Sequence, residues 1–199
     1  MVPMSREFSY MRFGKGPRQM ALYTERKICK NGYAGVIFSP LLPESIRIFV
    51  NDRRLEDMAI RVGYISVLPD GTDPVIFLTT DAFYALKRGS RSMRFLLLHE
   101  IGHYVCGHLS RPPRAGDPNY RRFELVTRGQ VCPDELEADR FAAAYLGQAY
   151  AVQALQDAMT ERLRYDLRTG AFGDALSNGA LAEFQMRMDA ISDAAPNAA

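Results

Sequence analysis

The chain has few of the residues that usually mark a zinc finger or a disulfide framework. Its 199 residues include only three histidines and three cysteines, and no tryptophan. The cysteines (Cys29, Cys106 and Cys132) are far apart and form no Cys-X-X-Cys pair. This spacing argues against both a zinc finger and a disulfide-stapled fold. We therefore expect three reduced thiols that behave as small apolar residues.

Long apolar runs are also absent. No stretch reaches the roughly 20 apolar residues of a membrane helix. The first 20 residues contain four basic side chains but not the apolar core of about 7–15 residues that a signal peptide needs. The sequence thus predicts a soluble, cytoplasmic protein with no membrane association. Its 47% hydrophobic and 24% charged residues are typical of a globular protein with one sizeable core.

Positive charge is concentrated at the N-terminus. Residues 1–30 contain seven basic and two acidic side chains, a net charge of +5 in a chain whose total is +2. Such a segment is most often a loosely ordered terminus, although it can also contact nucleic acid or an acidic partner. We predict a basic, loosely ordered arm at 1–30, a single domain at 31–192 and a disordered tail at 193–199.

Segments with strand character precede the helical part of the chain. Residues 46–50, 61–68 and 75–80 are rich in β-branched and aromatic residues, and turn signals separate them. They predict a small, mostly antiparallel sheet. A short helix is expected next, with Asp81 as its N-terminal cap and Gly89 at its end.

The apolar residues then take up helical spacing. Ser92 is a good N-cap, so we predict a helix from this residue to Cys106. Gly107 is expected to end this helix. A proline- and glycine-rich loop at 110–131 follows. Pro133 suits the first turn of the next helix. Two further helical patterns cover about 149–168 and 174–192.

The predicted helix at 92–106 contains the motif His-Glu-Ile-Gly-His at 99–103. Residues four apart share one helix face with Cβ atoms about 5–6 Å apart, so both imidazoles can bind one Zn²⁺ at about 2.0–2.1 Å. Glu100 lies beside this pair and can act on a metal-bound water instead of filling a coordination position. The motif predicts one zinc ion per chain, with ligands His99 and His103 and the catalytic base Glu100.

Two segments resemble a known peptidase family. Residues 94–104, RFLLLHEIGHY, resemble the signature helix of ImmA/IrrE-type metallopeptidases, and 135–143, ELEADRFAA, is similar to a second element of that family. HtpX-like and CAAX-prenyl proteases share much of this pattern but are embedded in membranes, so they are the second choice. The resemblance covers 94–146 and departs from the family at Leu96–Leu98 and in the long insert between the elements.

A catalytic zinc site needs a third protein ligand and an open fourth position. The resemblance implies that a glutamate from a later helix supplies it, often with an aspartate four residues on that supports a ligand histidine. Glu135 and Asp139 have this spacing. Glu137 is an alternative ligand, but it has no carboxylate at i+4.

His108 is a second alternative ligand. A different zinc family has the motif HExxHxxGxxH, but Cys106 and Leu109 occupy its last glycine and histidine positions here. On a continued helix, His108 would point about 180° away from His99. We therefore predict that it is not a ligand.

The resemblance implies a zincin-like α+β fold: a small, mostly antiparallel sheet packed on the active-site helix, with additional C-terminal helices. It also implies a zinc metallopeptidase, a hydrolase that cleaves a protein or peptide substrate and possesses a general base, Glu100. The alternative is a non-hydrolytic, zinc-containing regulatory module that binds a partner protein or nucleic acid through its basic arm. An intact Glu100 favours the enzyme, because a purely structural zinc needs no base.

Overall fold

The structure of the chain is a computed structural model. It describes residues 8–14, 19–40, 42, 44–57, 62–67, 73–110, 131–169 and 179–193. The chain divides into two compact units, Met1–Ser90 and Arg91–Ala199, called the sheet unit and the helical unit below. The predicted single domain at 31–192 spans both units and stays a prediction.

The sheet unit contains one six-stranded sheet and two short helices. Its elements are β1 (Phe8–Phe13), β2 (Met20–Glu25), β3 (Tyr33–Phe38), β4 (Ile46–Val50), α1 (Asp52–Asp57), β5 (Gly63–Val67), β6 (Pro74–Leu78) and α2 (Thr80–Lys87). The strand order is β1-β2-β3-β4-β6-β5, and only β4 and β6 pair in parallel. Together with the helices, this mostly antiparallel sheet confirms the α+β prediction.

The N-terminal part of the sheet corrects one prediction. Residues 8–13 and 20–25 are paired strands, so a loosely ordered arm at 1–30 is wrong for these residues. Met20 and Leu22 are fully buried and alternate with partly exposed neighbours, whereas Arg12 is exposed. The charge count concealed this period of two, because the basic residues of a strand can occupy its solvent face.

The cap of α2 is also different from the prediction. The helix begins at Thr80, and the Thr79 hydroxyl accepts a hydrogen bond from the backbone N–H of Ala82 at 3.2 Å. The Asp52 carboxylate accepts two more hydrogen bonds, from the N–H and the hydroxyl of Thr80, at 2.7 and 2.6 Å. Asp81 therefore lies inside the first turn and is not the cap.

The helical unit contains α3 (Arg91–Val105), a 3-10 turn (His108–Ser110), α4 (Pro133–Leu146), α5 (Gln148–Thr169) and α6 (Ala180–Ser192). Both α3 and α6 pack against α4 and α5. The helices confirm the sequence-based pattern in type and order, including the predicted first-turn Pro133.

Ser92 is not the cap of α3, since the helix begins one residue earlier. Its side chain is buried, and its hydroxyl donates to the Glu161 carboxylate at 3.0 Å. The predicted loop at 110–131 and tail at 193–199 lie almost entirely outside the described residues. None of the three cysteines, all of which lie in the described part of the chain, forms a disulfide.

Candidate metal centre

The helix that carries the HExxH motif lies unusually close to α4. A Cβ atom on Gly102 would be 3.0 Å from both the Cα and the carbonyl oxygen of Ala138, and 3.2 Å from the Cβ of Phe141. Cβ atoms in proteins rarely come this near to backbone atoms. Position 102 therefore requires glycine, which has no Cβ atom. The close approach brings the histidines of α3 to the first turns of α4.

Three predicted ligands converge at this approach. The Nε2 atoms of His99 and His103 are 3.0 Å apart. The carboxylate of Glu135 places Oε2 3.4 Å from the first nitrogen and Oε1 3.7 Å from the second. A tetrahedral zinc ion about 2.0–2.1 Å from each donor holds donors about 3.3–3.4 Å apart. The observed separations bracket this value, so the three side chains fit a divalent metal ion, while zinc itself stays a prediction.

A buried ion pair orients His99 from behind. Asp139 Oδ1 lies 2.8 Å from His99 Nδ1, which is the kind of contact that the family resemblance implies for Asp139. When Nδ1–H donates to this carboxylate, the lone pair of Nε2 is free for a metal. Arg187 of α6 donates from Nε and Nη2 to both oxygens of Asp139, at 2.7 and 2.6 Å. Asp139 is fully buried and Arg187 is 5% exposed.

The neighbouring charges and hydrogen bonds set the protonation states of Asp139 and His99. Burial alone would raise the pKa of Asp139, but the charge and hydrogen bonds of Arg187 outweigh it and lower that pKa to about 2. Burial alone would lower the pKa of His99, but hydrogen bonds with Asp139 and Glu135 raise it to about 9. Carboxylates that stabilise a proton on His99 also stabilise a cation in the same place.

His103 has a different set of partners. Burial, followed by the charge on His99, lowers its pKa to about 4, so the ring is neutral. Its Nδ1 lies 2.8 Å from Nδ1 of His108, whose Nε2 lies 3.0 Å from Glu137 Oε2. If His103 binds metal through Nε2, its Nδ1–H must donate to His108, and His108 then donates to Glu137.

The two alternative ligands, His108 and Glu137, therefore lie outside the group of donors that His99, His103 and Glu135 form. His108 and Glu137 form a second group with Cys106. The predicted direction of His108 was wrong, because it assumed a continued helix. α3 ends at Val105, and Gly107 with φ +74° turns the chain back toward His103.

The predicted catalytic base lies on the motif helix. Glu100 directly follows His99 in the sequence of α3. Its side chain is partly exposed, so solvent or a substrate can reach it. Its role as a base stays a prediction.

Arg187 is not among the site residues predicted from the sequence. This side chain also has Nη1 3.6 Å from Glu135 Oε2 and 3.8 Å from Glu183 Oε1. A signal was present: Arg187 lies one turn before Ile191, which is buried, so a charged residue occupies an apolar helix face. A buried arginine requires carboxylate partners, but the sequence does not say which ones.

We expect Gly102→Ala to lower stability and weaken metal binding. Alanine gains about 1 kcal/mol of helix propensity, but crowding a packed interface typically costs about 1–3 kcal/mol, so the net loss is about 0–2 kcal/mol. Because the histidines of α3 must shift away from α4, zinc affinity should fall more clearly than stability. Urea unfolding and competitive zinc titration measure the two effects.

Ala144→Gly, at an exposed position of α4, is the control that measures helix propensity without the interface. A Gly102→Ala protein that is more stable than wild type and binds zinc normally would contradict the proposed close approach.

Known proteins give no further assignment. Among the described residues, none of the helices has both the length and the apolar character that a membrane span requires. No protein-family model matches the chain, and no curated protein or solved structure is significantly similar to it.

Proposed function

We propose that this protein is a zinc-dependent endopeptidase of the glutamate-zincin type that hydrolyses peptide bonds of a protein substrate. The observation that carries the proposal is the convergence of His99, His103 and Glu135 from two helices, with donor separations that fit one tetrahedral ion. The ImmA/IrrE resemblance of the same two segments supports the same reaction.

The formal charges around the site favour a divalent cation. Glu135, Asp139 and Glu183 bring three carboxylates to a single guanidinium, Arg187. The four groups sum to a formal charge of −2, and a proton on His99, whose pKa is raised to about 9, reduces this only to −1. Buried charge of one sign is unfavourable unless a counter-ion neutralises it. A metal ion of charge +2 that replaces this proton brings the sum to zero, whereas a monovalent ion leaves the site negative.

When bound, zinc supplies a Lewis acid that activates water and polarises the scissile carbonyl. Glu100 accepts the proton of the attacking water and then delivers it to the leaving amine. Asp139 keeps the His99 ring in the tautomer that leaves Nε2 free, and Arg187 holds Asp139 in place through two hydrogen bonds. Glu100 therefore moves protons, whereas the buried pair keeps a ligand oriented.

The test compares zinc content and hydrolysis in wild type and Glu135→Ala. Removing a side chain that only orients a ligand already lowers metal affinity about 10–100-fold. The loss of a ligand itself should lower the affinity further. We expect wild type to retain one tightly bound zinc after dialysis and to cleave a fluorescently labelled unfolded protein. Glu135→Ala should lose both properties. Glu44→Ala, which removes an exposed carboxylate of the sheet unit, is the control and should retain them.

Two results would contradict the proposal in different ways. Normal zinc content without cleavage of any unfolded or partner protein would exclude the enzyme and favour the non-hydrolytic regulatory module. Unchanged zinc content in Glu135→Ala would exclude Glu135 as a ligand and point to Glu137 or His108.

A further inference from the structure

A second group of metal-ligating side chains lies at the C-terminal end of α3. One donor atom each from Cys106, His108 and Glu137 lie within 4.8 Å of one another. α3 ends just before Cys106, and Gly107, with φ +74°, turns the chain so that Cys106 and His108 come together. Glu137 comes from the second turn of α4. None of the three belongs to the proposed zinc ligands.

We propose that Cys106, His108 and Glu137 bind a second divalent transition-metal ion of the zinc class. Thiolate, imidazole and carboxylate are the donors that zinc takes in proteins, whereas Mg²⁺ and Ca²⁺ take oxygen ligands. His108 Nε2 lies 3.0 Å from Glu137 Oε2, close to the roughly 3.3 Å between two donors of one tetrahedral ion. Asp134 Oδ1, 3.9 Å from the same nitrogen, can be the fourth donor.

The second site is accessible without unfolding. The His108 side chain is 4% exposed and is therefore held in one orientation, while Glu137 is 52% exposed. An ion can reach the carboxylate from solvent and then bind the oriented imidazole. Cys106 is partly exposed as well, so its thiol can lose a proton to water as the metal binds.

One hydrogen bond, between the rings of His103 and His108, connects the two proposed metal sites. A single hydrogen lies between Nδ1 of His103 and Nδ1 of His108, which are 2.8 Å apart, and only the ring that carries it has a free Nε2. When His108 binds metal through Nε2, it therefore donates to His103 and leaves His103 with Nε2–H. Filling both sites breaks this hydrogen bond, which weakens the second ion about two- to tenfold. This coupling, unlike the second site itself, rests on the proposed function.

The test is a Co²⁺ titration of the metal-free, full-length protein under reducing conditions. A thiolate ligand gives Co²⁺ a sulfur-to-metal charge-transfer absorption that a His-His-Glu site cannot produce. We expect wild type to bind two equivalents and to show this absorption. Cys106→Ser should lose the absorption and one equivalent, while Cys29→Ser, a free thiol of the sheet unit, should behave as wild type.

Two further variants make the outcome unambiguous. Glu137→Gln changes a half-exposed side chain, so it should fold normally and bind the thiolate-ligated ion about 10–100-fold more weakly. Glu135→Ala should lose the other equivalent and keep the absorption, which separates a failure of the peptidase proposal from a failure of this one. A titration that ends without the absorption in wild type, or an absorption that persists in Cys106→Ser, would overturn the second site.

Discussion

Replacing Glu100 by glutamine is expected to reduce hydrolysis by about 10²–10⁴-fold, the usual contribution of a general acid–base group. Glutamine has nearly the same size as glutamate, but its amide cannot accept a proton from water. The proposed ligands His99, His103 and Glu135 are unchanged, so zinc content should equal that of wild type. Values of kcat/KM on a labelled unfolded protein, together with elemental analysis, measure both quantities.

Glu44→Gln is the charge-matched control for this substitution. It makes the same chemical change at an exposed position of the sheet unit and should leave kcat/KM within about twofold of wild type, since surface substitutions have small effects. Full hydrolysis by Glu100→Gln would assign the base to another residue. Loss of zinc from Glu100→Gln would instead show that Glu100 contributes to metal binding.

Replacing Arg187 by methionine is expected to lower the free energy of unfolding by about 3–5 kcal/mol, the usual effect of removing one partner of a buried ion pair. The carboxylate of Asp139 is fully buried, and methionine leaves it without its two guanidinium hydrogen bonds. Because Asp139 orients His99, zinc affinity should also fall by about 10–100-fold. Urea unfolding of the metal-free protein and a competitive zinc titration separate the two effects.

Arg91→Met is the matched control in the same unit. The Arg91–Asp157 pair is 3.7 Å long, and both side chains are more than a third exposed. Such a surface pair contributes about 0–1 kcal/mol. If Arg187→Met is no more destabilising than this control, the buried pair does not stabilise the helical unit.

A double variant shows whether the loss comes from an unpaired charge. Asp139→Asn combined with Arg187→Met removes both charges and retains a side-chain oxygen that can accept from His99 Nδ1. The double variant should therefore be more stable than Arg187→Met alone, because the fully buried side chain at 139 no longer carries an uncompensated charge, while Glu135 and Glu183 lose Arg187 in both variants.

Local spacing explains how much of the site could be predicted. The i,i+4 geometry of a helix places His99 and His103 together whatever the rest of the chain does. The same geometry places Asp139 one turn after Glu135, so one residue can approach the metal while the other contacts a histidine. These relations depend on neighbours within four residues, and a sequence contains that information directly.

The position of His108 could not be predicted from local spacing. The sequence indicated correctly that Gly107 lies at a helix end, but it did not indicate the direction of the chain beyond it. One glycine with φ +74° reverses that direction and brings His108 to His103. A glycine allows many backbone conformations at similar energy, so packing chooses among them.

The sequence by itself determined the helical motif, the spacing of Glu135 and Asp139, and the α+β class. Only the tertiary structure decided which elements meet. Arg187 reaches Asp139 across 48 residues of sequence, and α3 meets α4 where Gly102 lies on Ala138. Such contacts depend on the packing of whole helices, where shape and buried charge select the partners. A linear pattern records the period of each helix, but not the neighbour against which it packs.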